Sequence, residues 1–600
     1  MPCSKFANHG NPWRSNLTVI PRPEHPRPDF ERTEWINLNG VWAFEPDSYE
    51  VFSGKDRLLH APLKETITVP FPYQSRLSGI GRTGHHPCVW YRRSFEVPAP
   101  WLSQRVQLHF GAVDYEARVW VNGHFVGEHR GGHVPFEFEI QRWLVTGPNE
   151  LTVRAADAFD ISQPRGKQAW AEPFGCWYTP TTGIWQTVWL ESVPEVYTRS
   201  IRVDADPSSG EVTVIAVPNQ PAAGLTVRSV ALRDGAQIAA SQAPMAYPST
   251  RLTFRVPNIA PWSPESPALY DLVVTLEEGD RVLDRVRSYF GARTVTLERS
   301  SVLLNGKPCY QRLVLDQGFW PDGLYTAPTD EALKADVELA LALGFNGCRK
   351  HQKVEDPRFL YWADRLGFLV WGEFPAPYEF SLAAQARFLP EWQTAIQRDI
   401  NHPSIVAWVP YNESWGIPGV GKDPTVQDWV RTVVGLTRFL DPTRLVVDNE
   451  GWEHVDSDLI GYHTYAPTGE QLTRELEVAL ATARGQGAEG DGGPGLRRLM
   501  ADGVPLPPRP LMLTEFGGIG FSSGAADGAS WGYHGVPGDL DAFRQRFESI
   551  FVGLRRIPDI CGWVYTQLTD VQQEINGLLT PDRRNKFDPL WVRRWVSGGG

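Results

Sequence analysis

Two short apolar runs each close on an acid. SIVAWVPYNE (404–413) ends in Asn412-Glu413, and LMLTEF (511–516) carries Glu515 near its end. Two carboxyl groups about 5–5.5 Å apart are what a retaining glycosidase needs. One, ionised, attacks the anomeric carbon; the other, protonated, releases the leaving group and then activates water. Neighbouring negative charges push two carboxyl pKa values apart, so identical side chains can take opposite roles at one pH. Glu373 and Glu450 also end apolar runs, so position alone leaves other pairings open. The chemistry requires a scaffold that brings distant strand ends to one place.

Such a scaffold is legible after residue 293. Apolar strand candidates at 309–316, 345–350, 368–374, 404–413, 444–450, 458–465, 511–516 and 560–567 alternate with helix-like segments such as 357–367 and 425–441. TDEALKADVELALALG (329–344) shows an N-cap Thr, an acidic first turn and a Gly stop. Eight β units with intervening helices predict a (β/α)8 TIM barrel over 293–600, with its active site at the carboxyl ends of the strands. Residues 1–195 are written instead in short alternating runs, with Asn122-Gly123 suited to a type I′ hairpin, and predict a β-sandwich of jelly-roll type. The same grammar over 196–292 predicts a smaller immunoglobulin-like sandwich without the antibody Cys…Trp…Cys spacing. The Gly/Pro-rich stretch 484–510 is expected to be partly disordered.

Composition removes other functions. Lys+Arg 58 against Asp+Glu 70 gives a net charge of −12, and no basic block offers a footprint for nucleic acid. With no signal-peptide core and no run of about 18 apolar residues, a soluble, cytoplasmic protein without membrane attachment is expected. The six cysteines stand singly, without CxxC, as reduced thiols; a structural zinc site is not expected. There is no phosphate loop, GxSxG elbow or HExxH. A two-carboxylate mechanism calls for neither cofactor nor metal. The 24 Trp, 18 Tyr and 28 Phe suit both sugar stacking and ordinary core filling.

NHPSIVAWVPYNESW (401–415) and LMLTEFGG (511–518) resemble the acid/base and nucleophile motifs of glycoside hydrolase family 2, the family of β-galactosidases, β-glucuronidases and β-mannosidases. YRRSFEVP (91–98), the stretch 108–140 and GIWQTVWLE (183–191) are similar to its sugar-binding sandwich, and PWSPESPALYDL (261–272) to its immunoglobulin-like domain. The resemblance implies Glu413 as acid/base, Glu515 as nucleophile, Asn412 as holder of the substrate 2-hydroxyl and Tyr465 as hydrogen-bond partner of the nucleophile. It implies Arg349 beneath the nucleophile, where a structural ion pair is an equally physical role. Asp316, ending the first strand, is placed to accept hydrogen bonds from a sugar hydroxyl or to stand as a solvated loop acid.

Departures from the family pattern narrow the sugar. Gln352 stands where a histidine is usual, so His351 substitutes only if the loop shifts. Tyr565, with Trp563 two residues before, stands where relatives offer a tryptophan floor. Glu574-Ile575-Asn576 replaces the Asn-x-Lys pair that reads a uronic carboxylate, so a neutral sugar is expected: galactose in pyranose or furanose form, or mannose. Trp531 and Tyr533 sit in a Gly/Ser-rich segment able to close over substrate, or to be a mobile surface loop. The expected partner is a β-glycoside, and the resemblance suggests a homodimer or tetramer.

Overall fold

Period-two burial builds the first unit. A six-stranded antiparallel sheet (65–69, 40–46, 88–95, 149–156, 116–121, 124–130) faces a four-stranded one (35–37, 188–193, 105–110, 136–139). Between them lies an apolar core that includes Phe44, Val89, Tyr91, Leu108 and Val153. Asn122 and Gly123 have φ of 51° and 78°, which a type I′ turn demands, and join strands 116–121 and 124–130. A second sandwich of three (198–205, 211–218, 250–255) and four strands (236–244, 226–233, 270–278, 281–290) follows. The computed structural model describes residues 20–47, 56–170, 172–298, 300–486, 497–522 and 530–598.

The last unit is a parallel barrel. Its strands are β1 (Gln311–Asp316), β2 (Gly347–Lys350), β3 (Leu369–Glu373), β4 (Ile405–Val409), β5 (Leu445–Val446), β6 (Ile460–His463), β7 (Leu511–Gly517) and β8 (Gly562–Thr566), in the order 5-4-3-2-1-8-7-6. Helices α1 (Asp330–Ala342), α2 (Pro357–Leu366), α3 (Leu382–Asp399), α4 (Pro424–Leu440), α5 (Gly469–Ala483), α6 (Leu540–Arg555) and α7 (Pro589–Val596) cover it. Each begins on a Ser, Thr or Asp whose side chain accepts a first-turn N–H, which explains where these helices start. No helix links β5 to β6, and among the described residues no ladder joins those two strands, so the eight-stranded sheet is curled but open at that seam. The described part of the Gly/Pro-rich insertion packs against the β5–β6 connection, with Glu453 and His454 donating their backbone N–H groups to Arg498 and Leu499. Residues 487–496, on which much of the expected disorder falls, lie outside the described residues.

Strand alternation sorts the barrel into two layers. Leu313, Leu315, Leu369, Trp371, Val409, Met512 and Val564 fill the interior, with Val302 and Leu304 in the same cluster. Val314, Cys348, Val370, Trp408, Tyr462, Leu513, Trp563 and Tyr565 face the helices. This parity decides which strand-end side chains can reach a common cavity.

Candidate active site

The inward parity of β2, β3 and β6 brings Arg349, Glu373 and His463 to the barrel mouth. On β7 strict alternation would send Glu515 outward with Leu513. The pairing shifts register between Leu513 and Phe516 and between Tyr462 and His463, however, and both Leu513 and Phe516 pack outward. This bulge turns Glu515 into the interior. After β4, Glu413 and Ser414 adopt φ of 54° and 59°, a left-handed conformation that non-glycine residues rarely hold. The turn is held by Glu413 N–H on Glu450 O at 2.8 Å and Ser414 N–H on Asn449 Oδ1 at 2.9 Å.

Arg349 is the hub. Its Nε donates to Glu373 Oε2 at 2.7 Å, Nη1 to Glu515 Oε1 at 2.9 Å and to Thr514 O at 3.1 Å, and Nη2 to Asn412 Oδ1. Burial alone would lower its pKa, but Glu373, Glu515 and Glu450 outweigh that and raise it. Tyr465 donates its hydroxyl to Glu515 Oε2 and stacks on Tyr533, ring centres 3.4 Å apart. Burial and the Glu515 charge hold that phenol well above its ordinary pKa, so it remains a donor.

His463 lies between the two acids. Its Nδ1 is 2.8 Å from Glu413 Oε1 and 3.7 Å from Glu515 Oε1, and its Nε2 is 3.4 Å from Glu450 Oε2. Burial opposes the imidazolium, yet Glu515, Glu413 and Glu450 together raise His463 to about 9. Burial likewise opposes the Glu413 carboxylate, and His463 outweighs it to bring Glu413 down to about 2. Glu515 is also lowered: burial and the Glu413 charge act against ionisation, His463 and Arg349 for it. Ligand-type atoms of Glu413, His463 and Glu515 lie within 4.8 Å of one another, the one such trio among the described residues. The hydrogen bond of His463 to Glu413, and those of Arg349 and Tyr465 to Glu515, account for that closeness.

Other residues singled out in the sequence fall elsewhere. Leu315 faces the interior, so Asp316 points to the helix side, where Lys350 Nζ pairs with it at 2.6 Å; it is neither a sugar acceptor at the mouth nor a solvated acid. Val564 points inward, so Trp563 and Tyr565 pack among Phe516, Phe547 and Phe551 under the helices and form no floor for a sugar. His351 is buried beside the hub, its Nδ1 3.2 Å from Glu373 Oε2 and 3.3 Å from Arg349 Nη2. Burial, then Lys167 and Arg349, drive its pKa well below the usual value. Trp531 donates Nε1 to Gly175 O at 2.8 Å and meets Tyr533 edge-on, so it supports the Tyr465–Tyr533 stack from behind. Residues 523–529 of that segment lie outside the described residues.

The sequence reading missed His463 and Lys167 and left Glu373 and Glu450 only as other acids that end apolar runs. Alternation along 460–463 could have found His463, because Ile460 and Tyr462 are the outward positions. Nothing local announces Lys167, which comes from the first sandwich on a loop clamped to the barrel. Gly166 beside it has φ +59°, and a Cβ there would meet Gln352 O at 2.3 Å. Tyr378 donates its hydroxyl to Gly166 O at 2.5 Å and accepts from Trp177 Nε1 at 2.9 Å. Lys167 is 9% exposed, its Nζ donates to Cys176 Sγ at 3.4 Å, and among the described residues it has no carboxylate within 4 Å. Burial disfavours its charge, but Cys176, Tyr378, Glu413 and Glu515 favour it and the pKa is raised. Glu574 is buried close by, accepting from Tyr178 Oη and from Asn576 Nδ2 at 2.9 Å; burial raises its pKa.

Known proteins share this arrangement of domains. The family descriptions "Glycosyl hydrolases family 2, sugar binding domain", "Glycosyl hydrolases family 2" and "Glycosyl hydrolases family 2, TIM barrel domain" match residues 36–162, 192–293 and 295–517. A β-glucuronidase of Rattus norvegicus is 29% identical over 505 residues, 73% of this chain and 74% of that protein. A β-galactosidase of Psychromonas ingrahamii is 25% identical over 620 residues, 95% of this chain and 54% of that protein. The structure of a β-glucuronidase of Bifidobacterium dentium superposes with TM-score 0.76 at 23% identity, covering 94% of this chain and 98% of that one. No helix of the described residues is long and apolar enough to cross a membrane.

Proposed function

The chain belongs to glycoside hydrolase family 2 and is a glycoside hydrolase, and on that premise we propose that it removes one terminal β-linked sugar with retention of configuration, through Glu515 as nucleophile and Glu413 as acid/base. The observation that carries this reading is the convergence of Glu413 and Glu515 oxygens within 4.8 Å of each other at the barrel mouth, which suits a covalent glycosyl intermediate rather than the wider spacing of inversion. Arg349 and Tyr465 hold Glu515 ionised and oriented for attack. The proton that Glu413 delivers to the leaving oxygen is shared at rest with His463 Nδ1. Once the leaving group has gone, Glu413 is the base for water. Asn412, oriented by Arg349, is available to the 2-hydroxyl.

The terminal sugar in this reading is neutral and β-galactoside-like. Support comes from Glu574, a buried acid near Lys167 and Glu515 that disfavours a second carboxylate arriving with the substrate. A second reading, a β-glucuronide, is favoured by the names of several relatives and by Lys167, whose ammonium has no acid partner within 4 Å among the described residues. Nitrophenyl β-galactopyranoside, β-galactofuranoside, β-mannoside and β-glucuronide assayed side by side decide between them. Turnover confined to the glucuronide overturns the neutral reading, and turnover of none of the four, or an inverted product anomer by NMR, overturns the proposal as a whole.

A further inference from the structure

A cavity of about 340 Å³ opens beside Glu413 and Tyr465, and Glu515 is not among its lining residues. Glu413 lines it, so the cavity adjoins the acid/base, beside which the group that leaves must sit. Its walls are suited to a hydroxylated ring. Trp415 is 53% exposed and pinned by its Nε1, which donates to Glu413 Oε2 at 3.2 Å, so a flat indole stands at the mouth next to the proton donor. Also lining the cavity, the Arg497 guanidinium lies 4.0 Å over the Trp452 ring and pairs with no carboxylate among the described residues, leaving its donors available. Glu475 is fixed by Thr464 Oγ1 and by Gln471 Nε2 at 2.8 Å, which presents acceptors as well as donors along the same wall. An alkyl or simple aryl group would leave the Arg497 donors unused and the Glu475 acceptors without a further donor, at a cost of binding.

From this combination of an indole face with unpaired and fixed polar groups, we propose that the cavity is the leaving-group subsite and that it takes a sugar residue, so that the substrate is a saccharide. The proposal rests on the reading of Glu413 as acid/base. The test compares kcat/KM on a β-linked disaccharide, the nitrophenyl glycoside and the glycosyl fluoride of the sugar that the substrate panel identifies, because a fluoride leaves without filling the subsite. Wild type, Arg497→Ala, Gln471→Ala, Trp415→Ala and Trp415→Phe are measured.

Arg497→Ala and Trp415→Ala are expected to lower the disaccharide-to-fluoride ratio roughly 10–100-fold, the scale of one lost charged hydrogen bond or ring contact. Trp415→Phe, which removes the bond to Glu413 but keeps an aromatic face, should lower it much less than Trp415→Ala. Ratios that stay constant in Arg497→Ala and Trp415→Ala overturn the subsite. A wild type that cleaves the nitrophenyl glycoside but no disaccharide, with the nitrophenyl-to-fluoride ratio falling in those variants, overturns the sugar as occupant. Failure of the underlying reading looks different: Glu413→Ala would then cleave the disaccharide as well as wild type does.

Discussion

His463 Nδ1 lies 2.8 Å from Glu413 Oε1, and near neutrality His463 is held protonated, where an ordinary imidazole is mostly neutral, beside an ionised Glu413. A protonated histidine thus stores, beside the acid/base, the proton that a two-carboxylate site needs. Burial acts against the charge on both: Glu515, with Glu413 and Glu450, keeps His463 protonated, and His463 is the chief group that keeps Glu413 ionised.

That relationship predicts a pH-dependent stability. His463 is raised to about 9 from 6.5, so its contribution is complete below about 6.5 and is lost as pH rises through about 9. Glu413 is lowered to about 2 from 4.5, so its contribution is complete above about 4.5 and is lost as pH falls through about 2. Wild-type urea midpoints should therefore decline between pH 6.5 and 9, and His463→Gln should flatten that decline. Parallel curves for the two proteins would refute the ion pair.

Glu515→Gln should leave less than about a thousandth of wild-type turnover while circular dichroism and melting remain native-like, since the amide can neither attack nor carry the covalent intermediate. Glu413→Ala should recover rate on nitrophenyl substrates when azide is added, with the β-glycosyl azide as product. A Glu515→Gln enzyme with substantial turnover, or no azide adduct from Glu413→Ala, contradicts the assigned roles.

Lys167→Met removes a buried cation that feels the charges of Glu413 and Glu515 and has no carboxylate within 4 Å among the described residues. A drop of roughly 10–100-fold in kcat/KM is expected from one charged hydrogen bond to substrate. If Lys167 binds the terminal sugar, the affinity of Glu515→Gln for that sugar, read by calorimetry, should fall alongside. Unchanged affinity would restrict Lys167 to holding the loop.

Tyr565→Phe tests which way β8 faces. Tyr565 is fully buried among helix-facing rings, and among the described residues its hydroxyl has no hydrogen-bond partner, so losing the oxygen should leave kcat/KM within about threefold and not lower the melting temperature. A large loss of activity with unchanged stability would put this ring against the sugar after all.

Strand and helix periods, caps and motif spacing are local properties of a chain, so residue order indicated the three-part architecture, while Glu413 and Glu515 were set apart from Glu373 and Glu450 only by the resemblance of their flanking motifs to a known family. The capping residues Thr329 and Asp356 and the hairpin pair Asn122-Gly123 act within a few residues of themselves. Which way a strand-end side chain points is not local in this sense. A register bulge sets Glu515 inward, and simple alternation turns Asp316, Trp563 and Tyr565 away from the mouth. Both depend on pairing with strands far off in sequence. The charge state of the centre lies further still from sequence, since His463 owes its shift to Glu515, Glu413 and Glu450, and Glu413 owes its shift chiefly to His463, each against the effect of burial. Lys167 arrives from another domain on a loop whose course is fixed by contacts with the barrel at Gln352, Ala376 and Tyr378. Only the folded chain brings those partners within a few ångströms, and electrostatic interactions in a desolvated site become large only at such distances.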